Sequence, residues 1–278
     1  MQEQRTESTE AEGPKKVPLI LLSGGLDSTY CLLHLLKESD VDVVYIAASQ
    51  GPHKINAELQ AIEDILEMVR TISPISPEHK VRNIYHVRTE SETWKNVFQV
   101  DTHTGQKFKQ PQLWIQGVLM VARPDLHSQV VISYVTGDQM LSHIADLEYA
   151  WNYTCSFVFG EYRAIPIHFP LRYSKKRQLI NELPIGLLSK TWTCELPKWN
   201  DGSESALGFG VGHSEVSSLS KMKSDRRYRY KPCGKCDACL AQKESFVTTK
   251  YGDYLNMKMP AMAADNPGEF ISAADVEK

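Results

Sequence analysis

Short apolar runs alternate with helical stripes through the first half of the chain, and few folds accommodate that alternation. Val17 to Leu22 reads as a buried strand, and Ser28 to Lys37 as a helix with Cys31, Leu32, Leu35 and Leu36 on one face. Val41 to Ala48 is a second buried strand. "INAELQAIEDILEMVR" then sets Leu59, Ile62, Ile65, Leu66 and Val69 on one helical stripe. Val81 to Arg88 alternates as a third strand, Pro111 to Ala122 reads as a helix with proline near its start, and Gln129 to Asp138 is a fourth strand. "IPIHFPLRYSKKRQLINELPIGLL" adds a short strand and a helix starting near Ser174, whose hydroxyl is a candidate cap. Strand and helix in strict turn imply an α/β fold, a parallel sheet with helices on both faces and right-handed crossovers. Ligands of such sheets sit beyond the carboxyl ends of the strands. Three segments end there: Ser23 to Ser28, Ala48 to His53, and Gly137 to Gln139.

The first of these, "LILLSGGLDSTYCLL", has two adjacent glycines where strand meets helix. Glycine weakens regular structure, so a pair marks a sharp turn or a close approach of backbone to something else. Free N–H groups, the Ser23 and Ser28 hydroxyls and the positive end of a helix dipole would meet at one spot, an arrangement suited to phosphate or pyrophosphate. The loop lacks the Gly-Lys-Ser/Thr of a Walker A motif and the spacing of a GxGxxG fingerprint. A tight turn with Asp27 as a helix cap is the plain structural alternative.

A chain of 278 residues has room for one large α/β domain with an attachment, or two modest domains. Its 42% apolar and 23% charged residues are ordinary for a globular protein, and a net charge of −3 argues against a broad basic surface for nucleic acid. There is no apolar run of membrane-spanning length. The start, "MQEQRTESTEAEGPKK", is polar, so a cytoplasmic location is expected. In that compartment the six cysteines are not expected to pair as disulfides. "CGKCDAC" supplies Cys233, Cys236 and Cys239 as overlapping C-x-x-C knuckles, and Cys194 in "TWTCELP" lies upstream. Three thiolates so spaced can wrap a tetrahedral Zn²⁺, with a fourth ligand closing a structural site. Cys31 and Cys155 stand in apolar surroundings and read as core.

With "SGGLDS" near the start and "TWTC" with "CGKCDAC" near the end, the chain resembles the 7-cyano-7-deazaguanine synthase family of ATP pyrophosphatases, as a divergent member open to the family's defence-associated branch. The resemblance runs from about Val17 to Phe246. It implies an adenine-nucleotide-hydrolase-like α/β sheet with Zn²⁺ on four cysteines, here Cys194, Cys233, Cys236 and Cys239. It also implies ATP and Mg²⁺ as cofactors and adenylation of 7-carboxy-7-deazaguanine. Ammonia then captures the acyl adenylate as an amide, which a second ATP converts to a nitrile. The family's motif after the second strand is matched in part by "SQGPHKINAE", making His53 a candidate substrate residue beside Glu58, and its PLxxxxK segment is matched by Pro170, Leu171 and Lys176. The family's Gly-Arg-Asn segment is replaced by "KQPQLW", and its substrate segment is missing from "TGDQMLSHIADLEYAW". The stretch between Cys194 and Cys233 is longer than in the family.

These readings assign Ser23, Gly24, Gly25, Leu26 and Ser28 to pyrophosphate, and Asp27 either to Mg²⁺ or to holding the loop. Ala47, Ala48 and Ser49 either meet adenine through backbone groups or simply end a strand. Gly137 and Asp138 stand where a carboxylate can receive donors from a guanine-like base, or Asp138 caps the next helix. Lys176 is a phosphate or carboxylate contact by resemblance. The expected organisation is a disordered tail over 1–15, the α/β domain over 16–190, a zinc-binding region with a long inserted loop over 191–250, and an extension over 251–278. The expected activity is that of a carbon–nitrogen ligase acting on a 7-deazaguanine carboxylate, with ammonia or a protein amine as acceptor. A protein partner docking through 199–232, a homodimer, and a role for the basic run Lys221 to Lys231 on RNA or an acidic partner stay open. Two other readings compete. A tRNA thiolase would need a catalytic cysteine, for which only Cys155 is placed. A zinc-bearing binding module would keep the nucleotide loop without catalysis.

Overall fold

The computed structural model describes residues 15–47, 52–71, 79–88, 109–160, 163–192 and 240; within them the side chains of 52–53, 109–113 and 139 are left aside. Five strands, β1 (Val17–Leu21), β2 (Val41–Ala47), β3 (Val81–Arg88), β4 (His127–Val131) and β5 (Ile167–His168), form one sheet in the order β3-β2-β1-β4-β5. Every pairing is parallel. The order reverses at β1: the chain first builds outward through β2 and β3, then returns to place β4 on the other side. The crevice between the carboxyl ends of β1 and β4 is therefore the topological switch point, where open α/β sheets take ligands.

Helices cover both faces. Residues Ile20 and Leu22 from β1 and its end, with Val41, Val43 and Tyr45 from β2, point to one side. There they meet α1 (Leu26–Leu36), α2 (Pro52–Thr71), α5 (Lys176–Glu182) and α6 (Ile185–Leu188). The alternate residues Leu19, Leu21, Val44, Ile46, Val130 and Ile132 face α3 (Lys109–Leu119) and α4 (Ile144–Phe159) on the other side. This is the two-residue strand period expressed as two cores. Each fully buried aliphatic side chain, such as Leu32 and Ile65 at 0% exposure, contributes about 1.5–3 kcal/mol of burial. Trp151 anchors α4 by donating its indole N–H to the Ile165 carbonyl at 2.6 Å, which satisfies its one polar group in the core. Cys31 and Cys155 are buried free cysteines, as their apolar surroundings suggest.

The expected strands and helices are present, with shifted ends and further short elements. β4 starts at His127 and ends at Val131, so Ile132 to Asp138 runs on past the sheet edge instead of extending the strand. The helix expected near Ser174 begins at Lys176, with Lys175 as the capping residue and its N–H held by the Gln178 carboxamide at 2.8 Å. Asp27 lies inside the first turn of α1, whose capping residue is Gly25, so the cap reading of Asp27 gives way. Asp138 precedes a 3-10 turn, Gln139–His143, without a side-chain cap bond. Helix α4 follows; the cap reading of Asp138 anticipates a helix here, but the alternating pattern gives it no bounds. Leu147, Trp151 and Cys155 form its buried stripe, but Tyr149, Tyr153 and Phe157 load the opposite face with apolar rings and blur the helical period. Among the described residues no helix is long and apolar enough to cross a membrane.

Candidate functional site

The loop after β1 explains both glycines. Gly24 has φ +74°, a left-handed conformation that a side chain resists, and a Cβ there would stand 3.1 Å from the Glu58 carbonyl and 3.2 Å from the Ala61 Cβ of α2. Gly25 has ordinary φ but carries the first helical acceptor: its carbonyl takes the Thr29 N–H at 3.0 Å and the Thr29 hydroxyl at 2.7 Å. The two serines fasten the turn from inside. Ser28 Oγ accepts the Ser23 N–H at 3.3 Å, sits 3.2 Å from Ser23 Oγ, and donates to the Gly25 carbonyl at 3.2 Å, while Ser23 Oγ accepts the Gly25 N–H at 3.4 Å. Ser28 is buried and Ser23 exposed, so Ser23 is the hydroxyl presented to solvent. The N–H groups of Leu26, Asp27 and Ser28 open α1 without intrahelical partners by helix geometry and share the positive end of its dipole.

Three charges meet above this turn. Lys176 Nζ lies 3.6 Å from Asp27 Oδ2 and 3.7 Å from Asp138 Oδ1. They come from three elements: the first turn of α1, the loop beyond β4, and the first residue of α5. Two hydrogen bonds from one threonine hold the last two together, since Thr136 N–H donates to the Ser174 carbonyl at 2.8 Å and Thr136 Oγ1 to the Arg172 carbonyl at 3.2 Å. Leu179, Ile180 and Leu183 then seat α5 in the core shared with α1. The triad stands at the switch point between β1 and β4.

Asp27 is the unusual member. Burial pushes its carboxyl from 3.8 up to about 6, with the Lys176 ammonium pulling against that and the Asp138 charge adding to it. Its Oδ1 is buried and has no hydrogen-bond partner. A carboxylate with one oxygen paired to a lysine and the other unsatisfied fits a cation ligand, and one or two carboxylates beside phosphates is how Mg²⁺ is commonly held. Asp138 is less open: its Oδ2 accepts the Val135 N–H at 2.8 Å while Oδ1 faces Lys176. It enters the site as an ion-pair partner of the lysine. Gly137, at φ +102° with open space around it, makes the bend that turns Asp138 back.

The second strand end adds polar groups. Ala47 closes β2, Ala48 and Ser49 lie outside the described residues, and His53 falls in α2 without a described side chain. Glu58 accepts the Tyr45 hydroxyl at 2.8 Å and lies 3.7 Å from the Lys54 ammonium, while its own carbonyl abuts Gly24. Lys54, nearly buried, escapes the sequence reading; its signal was an i, i+4 pair with Glu58 at a helix start. A second tie also went unread: Trp192 N–H donates to the Gly24 carbonyl at 2.7 Å, so the segment that runs toward Cys194 is fastened to the glycine turn. Cys194, Cys233, Cys236 and Cys239 lie outside the described residues. Among the described residues no group of three or more His, Cys, Asp or Glu is placed to hold a metal ion.

No protein-family model matches the chain, and no curated protein matches it.

Proposed function

We propose that the chain is an ATP pyrophosphatase of the 7-cyano-7-deazaguanine synthase type, which adenylates a 7-deazaguanine carboxylate and passes the acyl group to nitrogen. The observation that carries the reading is the convergence of the Gly24 turn, the α1 N-terminus, Asp27 and Lys176 at the β1/β4 switch point. Attack of a carboxylate on the α-phosphorus of ATP asks a protein for positioning and for charge neutralisation of departing pyrophosphate, with little covalent work. The N–H groups of Leu26, Asp27 and Ser28 and the Ser23 hydroxyl are donors for that pyrophosphate. Lys176, held between two carboxylates, can turn its ammonium to phosphate or to the substrate carboxylate once either approaches. Mg²⁺, when bound, would screen the phosphate charge, and Asp27 would hold it through the unsatisfied Oδ1. The cysteine set would hold Zn²⁺ in a structural role, and the fold class proposed is adenine-nucleotide-hydrolase-like.

The test is incubation of the full chain with ATP, Mg²⁺, 7-carboxy-7-deazaguanine and ammonia, reading pyrophosphate release and product mass. Pyrophosphate formed only with the carboxylated base, together with an amide or nitrile mass, supports the reading. Pyrophosphate without a small-molecule product directs attention to a protein amine as acceptor, detected as a mass adduct on a co-incubated protein. Absence of carboxylate-dependent pyrophosphate from zinc-replete, folded protein overturns it.

A further inference from the structure

Three buried side-chain atoms among the described residues have no hydrogen-bond partner: Asp27 Oδ1, Gln116 Oε1 and the Tyr134 hydroxyl. Gln116 lies on α3, but the other two belong to segments that meet at the β1/β4 switch point: Asp27 opens α1, and Tyr134 stands between the end of β4 and Asp138. Tyr134 is 6% exposed. A buried hydroxyl without a partner has given up water for nothing, so it lowers stability unless a ligand answers it. We infer that the Tyr134 hydroxyl reads the neutral hydrogen-bonding edge of the substrate's base, a specificity role that rests on the deazaguanine reading above.

The ring that carries this hydroxyl is held on the α3 and α4 side of the sheet. Trp114 of α3 tilts against it at 37° with the ring centroids 5.3 Å apart, and Phe169, just past β5, stacks on it at 19° and 5.9 Å. Both neighbours occupy the ring surface, so what Tyr134 has left for a ligand is its hydroxyl edge. A ring packed in this way is also preorganised, because little side-chain freedom remains to be lost on binding.

Charge decides which part of the substrate the hydroxyl meets. Val135, the next residue, donates its N–H to Asp138 Oδ2 at 2.8 Å, which folds that carboxylate back along the chain toward Tyr134. Burial first, and then the Asp138 charge, hold the phenol above its usual range, so it stays protonated. The same negative charge disfavours a substrate carboxylate beside the hydroxyl. A guanine-like base offers instead a ring N–H next to a carbonyl, and a phenol can accept from the first or donate to the second. The carboxylate is left to Lys176, the cation of the triad.

The test is titration calorimetry of the full chain, with Mg²⁺ and saturating α,β-methylene-ATP, against 7-carboxy-7-deazaguanine and against 7-carboxy-7-deazapurine, which lacks the carbonyl, the amino group and the N–H of the six-membered ring. Wild type should bind the first at least about tenfold more tightly. Tyr134→Phe should weaken that binding about tenfold, bring the two bases within about threefold of each other, and leave the affinity for α,β-methylene-ATP unchanged. In urea the variant should unfold no earlier than wild type, since only an unanswered hydroxyl is removed. Earlier unfolding overturns the inference by giving the hydroxyl a structural partner. An undiminished preference in Tyr134→Phe also overturns it, and carboxylate-dependent pyrophosphate from wild type would then leave the proposed adenylation standing. Tyr134-dependent binding without pyrophosphate release, once ATP replaces the analogue, upholds the base contact and refutes the adenylation. A wild type that binds neither base, or both alike, overturns the inference.

Discussion

Replacing Asp27 by asparagine should stabilise the protein while removing the adenylation activity proposed for it. The carboxyl stands at about 6 rather than 3.8 because burial, the largest influence, disfavours its charge more than Lys176 favours it. A rise of that size costs the folded chain about 3 kcal/mol at neutral pH. The side chain is only 20% exposed, so solvent screening removes little of this. The sign follows from proton counts. Between about pH 4 and pH 6 the folded chain keeps the Asp27 proton that the unfolded chain has already lost, so this carboxyl makes stability fall as pH rises through that window, and the full penalty holds above it. Asp27→Asn keeps the shape without the titration, and Lys176 keeps Asp138 as partner. Urea denaturation from pH 4 to pH 8 should show the variant level with wild type near pH 4 and about 2–3 kcal/mol more stable at pH 7.5. The difference between the two proteins isolates Asp27, since their other groups titrate alike. Carboxylate-dependent pyrophosphate release should be lost, the usual exchange of function for stability at a strained site. A variant less stable than wild type at pH 7.5, or a gap that does not change with pH, refutes the reasoning.

Three further outcomes are expected. Gly24→Ala should cost about 1–2 kcal/mol in chemical denaturation, because φ +74° is strained for alanine and its Cβ would crowd the Glu58 carbonyl, and pyrophosphate release should fall with it; unchanged stability would mean the turn is not constrained as described. His127, buried with its Nδ1 accepting the Arg123 N–H at 2.9 Å and its Nε2 on Asp42 at 3.1 Å, is held below its usual 6.5 chiefly by burial. The unfolded chain therefore takes up that proton first, stability is lost as pH falls from 6.5 toward the lower folded value, and His127→Gln should flatten that decline in urea midpoints; an unaltered slope would place the titration elsewhere. Cys236→Ser should release one Zn²⁺ per chain, read by elemental analysis, and lower the melting temperature rather than slow adenylation selectively; zinc-free wild-type protein would defeat it.

The sheet was legible because strands buried on both faces are continuous apolar runs, and Val17–Leu21 and Val41–Ala47 are buried almost throughout. The glycine turn was legible because its composition has few structural uses. Strand ends are less legible: β4 stops at Val131 although "ISYV" continues the apolar pattern, because Ile132 and Tyr134 stay buried on the α3 and α4 side, and Val135 in the opposite core, after the strand itself has ended. Helix α4 has no legible bounds for the related reason that two apolar stripes on opposite faces erase the contrast on which periodicity rests. The meeting of Asp27, Asp138 and Lys176 involves residues far apart in the chain. Spacing puts each near a strand or helix end, but the hydrogen bonds from Thr136 to Arg172 and Ser174 and the packing of α5 on α1 fix the lysine between the carboxylates. Sequence pattern carries no signal for such a tie.

Two aspartates in this sheet separate structure from chemistry. Asp42, fully buried near the start of β2, takes hydrogen bonds from Arg82 at 3.3 and 3.1 Å, from Asn83 at 3.1 Å and from His127 at 3.1 Å. Burial alone would raise its carboxyl, but these donors outweigh it and hold the group below the usual range. At Asp27, at the opposite end of the sheet, burial is again the largest influence and the carboxyl moves the other way, because only a lysine at 3.6 Å answers its charge and Oδ1 is left without a donor. A charge placed for stability is surrounded until its hydrogen-bonding capacity is filled, as at Asp42. One left short of partners at the switch point lowers stability unless a cation arrives, so the deficit at Asp27 is itself the argument that this end of the sheet binds something.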